Sequence, residues 1–422
     1  MNGASRARFK RFLRERNAFS EDGSETLLSV SEYYGVKPRA EAFDQDRQES
    51  RADSLVGYRI VRKGDFVMNY MLAWKGAYGI SAYDGIVSPA YSVFSVDHTA
   101  IDLRFLHHRT RSKDMQAVFK QNSRGIMESR LRLYPENLLS IDLGLPTPEI
   151  QRAISTFLDR ETTRIDTLIE KKSRFIELLK EKRATVISHA VTKGFNPAVP
   201  MKSSGEAWIG EVPSHWELKP LRAFFVFRNE KNDPVRTENI LSLSIAHGVT
   251  PYSEEGRGGN KSKEDLTAYK IAHKGDIVLN SMNVIVGAVG RSLYFGAISP
   301  VYYALYPCKK GVYVPFFEKI FMNCGFQKSL LRYGKGILMK ISGTGQMNTI
   351  RMKISQDDLK TVVFPVPPEA EQHEITEHID AETSKIDFLI TKTERSIELL
   401  KEKRAALITA AVTGKIDVRA AA

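Results

Sequence analysis

Apolar residues recur at three- and four-residue steps over two long stretches of the chain. Ile165, Leu168, Ile169, Phe175, Ile176, Leu179, Val186 and Ile187 follow that step in the first. Ile375, Ile379, Ile386, Leu389, Ile390, Ile397, Leu400, Leu407 and Ile408 follow it in the second. This spacing lays one apolar stripe along one helix face. Thr147-Pro148-Glu149 and Pro368-Glu369 carry start signals: proline at the first turn and an acid near the positive end of the helix. Gly194 and Gly414 supply the stops. Each stretch predicts a helix of about 43 residues, a rod of about 65 Å. A rod that long with one apolar stripe needs a partner, and each rod offers one to the other.

The two stretches are copies. Residues 146–194 match residues 367–415 without a gap, pairing Gln151 with Gln372 and Ile165-Asp166 with Ile386-Asp387. The segment IELLKEKRA at 176–184 recurs at 397–405. Residues 149–193 hold 10 Lys+Arg and 7 Asp+Glu, and residues 369–415 hold 7 and 10, so the predicted helices are complementary in charge. Exposed ion pairs are individually weak, so this complementarity speaks for orientation rather than stability.

The intervening segments repeat as well. YRIVRKGD at 58–65 matches YKIAHKGD at 269–276, and GIVSPAY at 85–91 matches GAISPVY at 296–302, both offset by 211 positions. The helices are offset by 221, which places ten extra residues after Tyr302. The strand–turn–strand texture of these segments and their density of Gly, Ser, Tyr and Val predict short strands with tight turns. Single helices are expected over 103–119 and 315–333. The fold class expected is α+β: two β-rich mixed domains and two long helices forming an antiparallel coiled coil with a pseudo-two-fold repeat. Its segments are 1–145, 146–194, 195–365, 366–415 and a tail at 416–422, with residues 195–220 as a linker carrying Trp208 and Trp216.

Net charge is +12. The helices cancel, so the excess sits on the two globular segments, +4 over residues 1–148 and +8 over 194–368. That points to a polyanionic partner met by those segments. No run of 18 apolar residues predicts a membrane span, and the N-terminus lacks an apolar signal region. A cytoplasmic protein is expected. Cys308 and Cys324 fit no metal spacing and are expected to be buried thiols.

The twin Pro-rich entries (LPTPEIQ, FPVPPEAEQ), the twin IELLKEKRA helices, the GxxSPxY signature and WIGEVPSHWE at 208–217 together resemble the specificity subunits of type I restriction–modification systems. The resemblance spans nearly the whole chain. It implies two target-recognition domains, each binding one half of a bipartite asymmetric site on double-stranded DNA. The coiled coil would act as a ruler and dock two methyltransferase (M) subunits, with restriction (R) motor–nuclease subunits joining for cleavage. S-adenosylmethionine, ATP and Mg would belong to those partners, and this chain would carry no cofactor. WIGEVPSHWE has no counterpart before the first domain: either the first copy is shortened, the sequence starts too late, or the first domain does without the segment.

No catalytic residue emerges. Gly334-Lys-Gly336 and Thr413-Gly-Lys415 lack the Walker A frame, and no Asn-Pro-Pro-Tyr or Asp-Pro-Pro-Tyr tetrapeptide is present. Glu170-Lys-Lys172 falls on a predicted coiled-coil face, and His107-His108 lack an acidic or cysteine partner at metal spacing. An enzyme in its own right is therefore not expected. The alternative to DNA reading is a coiled-coil scaffold, or a degenerate specificity protein.

Phosphate contacts call for Lys and Arg, and base contacts for Arg, Asn, Gln, Ser and Thr on protruding loops. The first-domain candidates are Trp74, Lys75, Tyr78, Tyr83, Arg109, Arg111, Lys113, Gln121, Asn122 and Arg124. The second-domain candidates are Arg257, Asn260, Lys261, Asn283, Arg291, Lys335, Lys340, Thr344, Gln346 and Asn348. Ser88-Pro89-Tyr91 and Ser299-Pro300-Tyr302 occur in both copies, so they are assigned to scaffold. Ile165, Ile169, Ile176, Leu179, Ile386, Ile390, Ile397 and Leu400 are the candidates for coil and partner docking.

Overall fold

The computed structural model describes residues 6–32, 35–42, 54–127, 130–245, 247–253, 265–337 and 351–418. The chain divides into two compact units. One runs up to Ser173 and takes in Glu394 onward; the other is Arg174–Thr393. Each unit thus contains one β-rich segment, one half of the first long helix and one half of the second.

In the first unit, alternation of apolar residues builds eight short strands: β1 (Leu13–Glu15), β2 (Leu28–Ser31), β3 (Gly35–Pro38), β4 (Arg59–Val61), β5 (Phe66–Asn69), β6 (Tyr78–Ile80), β7 (Gly85–Val87) and β8 (Tyr91–Val96). The short helix α1 (Arg39–Ala42) follows β3. A four-stranded antiparallel sheet has the order β1-β8-β5-β6, flanked by the pairs β2-β3 and β4-β7. Helices α2 (Leu103–Thr110), α3 (Lys113–Gln121) and α4 (Pro135–Ser140) lead into α5 (Pro148–Lys193). Phe9, Phe12, Phe66, Phe94, Phe105 and Phe119 form the core together with Ile154 and Leu158 of α5. Ile408, Ala411 and Val412, from the last helix of the chain, close it.

The second unit repeats this plan. It has β9 (Met201–Ser203), β10 (Glu211–Pro213), β11 (Glu217–Pro220), β12 (Phe225–Arg228), β13 (Leu241–Ser244), β14 (Gly248–Pro251), β15 (Lys270–Ala272), β16 (Ile277–Asn280), β17 (Val289–Arg291), β18 (Gly296–Ile298) and β19 (Tyr302–Pro307). Then come α6 (Val314–Phe321), α7 (Cys324–Ser329), β20 (Lys335–Ile337), β21 (Arg351–Lys353), α8 (Gln356–Thr361), β22 (Val363–Val366) and α9 (Glu369–Val412). The sheet order β12-β19-β16-β17 is the counterpart of β1-β8-β5-β6. Ile187, Ala190 and Val191 of α5 enter this core from one side, and Ile375 and Ile379 of α9 from the other.

Buried polar pairs recur at matching places. Arg16 makes two hydrogen bonds to Asp65, at 2.8 and 2.9 Å, and Arg228 makes two to Asp276, at 2.7 and 3.0 Å. Each aspartate ends a Lys-Gly-Asp turn whose glycine, Gly64 or Gly275, sits at φ 91° or 97°, a conformation that a side chain would strain. Gly85 and Gly296 are required for another reason. A Cβ there would stand 2.3 Å from the Thr26 carbonyl oxygen or 2.5 Å from that of Asn239.

Several sequence expectations change, the first being the linker at 195–220, which instead carries β9, β10 and β11 and buries Ile209, Val212 and Trp216 in the core of the second unit. The stretches expected as single helices are each broken in two, at Arg111–Ser112 and at Met322–Asn323. The Asn323 carboxamide accepts the Phe326 N–H and starts a new helix there. The ten extra residues fall between β20 and β21: Lys335 pairs with Lys353 where Arg124 pairs with Arg132, and the longer connection separates the former pair. Cys308 and Cys324 are exposed rather than buried.

Candidate nucleic-acid interface

Within each unit the halves of α5 and α9 pack antiparallel. Ile165, Ile176, Leu179 and Ile386 are buried, and Ile169, Ile390, Ile397 and Leu400 are half-buried. Arg404 pairs with Asp166 in the first unit, at 2.9 and 3.1 Å, and Arg183 with Asp387 in the second, at 3.0 Å. Leu168, Phe175 and Leu178 of α5 and Phe388, Leu389 and Leu399 of α9 are left exposed. On helices so rich in charge, these side chains are surface available to a partner.

In the first unit a cationic patch surrounds Trp74. Trp74 and Lys75 occupy a single 3-10 turn between β5 and β6. The ammonium groups of Lys75 and Lys120 stand 5.0 and 5.6 Å from the centre of the Trp74 ring. Lys113, Gln121, Asn122 and Arg124 are exposed on α3 and just beyond it. The Asn122 carboxamide donates to the Val118 carbonyl at 2.9 Å. Lys120 opens the polar run 120–130, the positional counterpart of 340–348. Tyr83 is half-buried against the valine cluster of β4, β5, β7 and β8.

Three first-domain candidates are placed inside the domain instead. Tyr78 is fully buried, its ring packed on Phe66 and Phe119 and its hydroxyl donating to the Thr110 carbonyl at 2.7 Å. Arg109 is buried and donates to the Leu143 carbonyl, Ser112 and Asp114. Arg111 donates to the backbone carbonyls of Glu32 and Tyr78, at 3.2 and 3.1 Å, and so ties β2 to β6. Tyr78 and Arg109 hold the fold and offer nothing to a ligand outside it, while the half-buried Arg111 spends two of its donors on the backbone.

In the second unit Asn283 is exposed ahead of the turn Val284–Val286. Arg291 ends β17, half-buried, with its Nε 3.7 Å from Glu318 and without a hydrogen-bond partner. Lys335 is exposed, 3.7 Å from Asp358. Arg257, Asn260, Lys261, Lys340, Thr344, Gln346 and Asn348 lie outside the described residues.

His107 and His108 lie on α2. His108 Nε2 is 2.7 Å from Asp159 of α5, a bond whose counterpart in the second unit is Lys319 to Asp380 at 2.5 Å. Burial pushes His107 down to about 3. Among the described residues no group of three His, Cys, Asp or Glu side chains could hold a metal, and no helix is long and apolar enough to cross a membrane.

A duplicated α+β chain with one frame and two different sets of surface loops has the architecture of a two-headed binding protein. The comparisons narrow that class. The chain is 18% identical over 366 residues, 83% of its length and 78% of the relative's, to the type I restriction enzyme EcoDI specificity subunit of Escherichia coli. Among solved structures it superposes with TM-score 0.67 on a chain of a type I R-M system described for complex assembly and conformational transition, at 14% identity over 98% of both chains. It superposes with TM-score 0.53 on the HsdS subunit from Thermoanaerobacter tengcongensis, at 15% identity over 99% of this chain and 98% of that one. No family model matches the sequence. The fold is that of these specificity subunits, and the resemblance carried by the twin helices is to the same group of proteins.

Proposed function

We propose that this chain is the DNA sequence-specificity subunit of a type I restriction–modification complex, and that it is non-catalytic by itself. Each β-rich domain binds one half of a bipartite asymmetric site. The observation that carries this reading is the duplication. Both copies share the Arg–Asp turn, the sheet order and the helix contacts, and they differ at exposed positions. Exposed Lys75, beside Trp74, stands in the first copy where the second has Val286, and Lys113 where it has Cys324. A common frame with different surfaces suits two different half-site words.

The paired helices set the distance between half-sites, because duplex DNA is stiff over such lengths. Their exposed Leu168, Phe175, Leu178, Phe388, Leu389 and Leu399 support docking of two methyltransferase subunits, with restriction subunits joining the assembly. S-adenosylmethionine, ATP and Mg act on those partners, in the cytoplasm.

The test is the adenine-methylation map of host DNA with and without this gene. Loss of one split, asymmetric motif on deletion is the expected result. An unchanged map in a host that carries an active methyltransferase partner overturns the reading. Four residues inserted into α5 should change the spacer and leave both words intact.

A further inference from the structure

The second unit carries an open cleft of about 490 Å³ between the β13–β14 hairpin, the turn after β16, helices α6 and α7, and α5. Arg183 of α5, Arg291 of β17 and Glu318 of α6 supply its charges, and His247 of the hairpin also lines it. The single carboxylate is already engaged: Glu318 accepts the Arg291 backbone N–H at 2.9 Å and lies 3.7 Å from Arg291 Nε. Arg183 uses its Nε on Asp387, and Arg291 Nε has no hydrogen-bond partner. A guanidinium has five donors, so both arginines retain donors for an acceptor that enters the cleft.

The same place in the first unit is filled but still cationic. Arg111, at the position of Met322, lays its guanidinium across it and leaves a Cβ on Gly35 only 3.1 Å from Arg111 Nη2. Arg404 stands there as the counterpart of Arg183, held by Asp166 as Arg183 is held by Asp387. Exposed Lys75 and Lys113 stand where the second unit has Val286 and Cys324. Apolar Val286 on the rim of the second cleft is therefore replaced by a cation in the first copy, and arginines stand at this place in both copies. A feature common to two domains that read different words suits the part of DNA that is the same everywhere, the phosphate backbone.

We infer that the cleft of the second unit seats a DNA backbone phosphate between Arg183 and Arg291, so that α5 itself touches the duplex. Arg183 is then a phosphate contact, and its bond to Asp387 holds its guanidinium at the cleft mouth. Guanidinium donors match phosphate oxygens in geometry as well as charge. The inference rests on the DNA-reading function proposed above.

Arg183→Gln, in the full chain assembled with its methyltransferase partner, should make the negative slope of log affinity against log salt shallower by about 0.9. It should do so equally on cognate and unrelated duplexes. Cys324 lines the cleft and is exposed, and Cys308 is exposed outside it, so alkylation read by mass spectrometry gives a second measurement on the unmutated chain. Duplex DNA should slow alkylation of Cys324 and leave Cys308 unaffected. Protection of Cys324 by the methyltransferase subunit without DNA would assign the cleft to a protein contact and overturn the inference. So would an unchanged salt slope in Arg183→Gln. If the unmutated assembly binds DNA without salt dependence, the functional reading itself fails and the inference goes with it.

Discussion

Arg404 of α9 grips Asp166 of α5 through both its Nε, at 2.9 Å, and its Nη2, at 3.1 Å. The bond between Arg183 and Asp387 occupies the equivalent place 221 positions away, with the helices exchanged. Both pairs face solvent, where an ion pair contributes about 0–1 kcal/mol. Their effect is to favour one register of the antiparallel helices, since a slip of one turn would part both pairs.

A double-mutant cycle with Arg404→Ala and Asp166→Ala should give a coupling of about 0.2–1 kcal/mol in chemical denaturation. Arg404→Asp should destabilise more than either alanine, because it sets two carboxylates face to face. Combining it with Asp166→Arg should restore stability. A null coupling would mean that the apolar stripe alone sets the register.

Gln151 and Gln372 support a larger effect. Gln151 accepts the Asp102 N–H at 2.9 Å and donates to the Pro146 carbonyl at 2.8 Å. Gln372 repeats this with Tyr313 at 3.1 Å and Pro367 at 2.9 Å. Both glutamines are 1% exposed, so truncation strands buried backbone groups. Gln151→Ala should cost about 1–3 kcal/mol. Hydrogen exchange should rise in α2 and at the start of α5, and α6 should be unaffected. Equal loosening of both units would contradict a local role.

The twin helices, their starts at Pro148 and Glu369 and the repeat between domains were legible because periodicity and self-similarity are local properties of a sequence. Which arginines face inward was not. In the run Arg109-Thr-Arg-Ser-Lys113, Arg109 is buried because the Leu143 carbonyl, 34 positions on, lies within its reach. Arg111 turns in because the β2–β3 hairpin presents the Glu32 carbonyl. Those acceptors are brought close only by the fold, so all three cations looked alike in sequence and only Lys113 proved exposed. The helix breaks escaped notice for a similar reason: Asn323 becomes a cap only once its carboxamide turns back to the Phe326 N–H.

The buried Arg228–Asp276 pair should resist partial removal. Asp276 is 3% exposed and also accepts the His273 N–H at 2.9 Å. Asp276→Ala removes the acceptor shared by the Arg228 guanidinium and the His273 N–H, leaves Glu230, 3.6 Å away, as the guanidinium's remaining counter-charge, and should cost about 1–3 kcal/mol. Arg228→Met in the same background should recover part of that loss, because it removes a half-buried charge that has lost its closest partner. Thermal melts of the single and double variants decide this. A double variant less stable than Asp276→Ala would show that Arg228 contributes mainly through its packing over Tyr306.

The first unit should also weaken in mild acid through His107. Burial, with help from Arg111, His108 and Arg404 and against the pull of Asp159, pushes this imidazole down to about 3. In the unfolded chain it titrates near about 6.5. Between those values the unfolded state takes up a proton that the folded state refuses, so stability falls as pH drops from about 6.5 towards 3. It is fully present above that window. Burial lowers His108 too, in the same direction, although Asp159 opposes the shift. The second unit has Glu318 and Lys319 at these two positions, so it lacks this histidine term. His107→Gln should flatten the acid side of the stability–pH curve without abolishing it, because His108 remains. The measurement is denaturant unfolding at pH steps from 7.5 to 4.5, with hydrogen exchange assigning the loss to α2 and α5. A curve unchanged by His107→Gln would mean that the folded domain admits the proton after all.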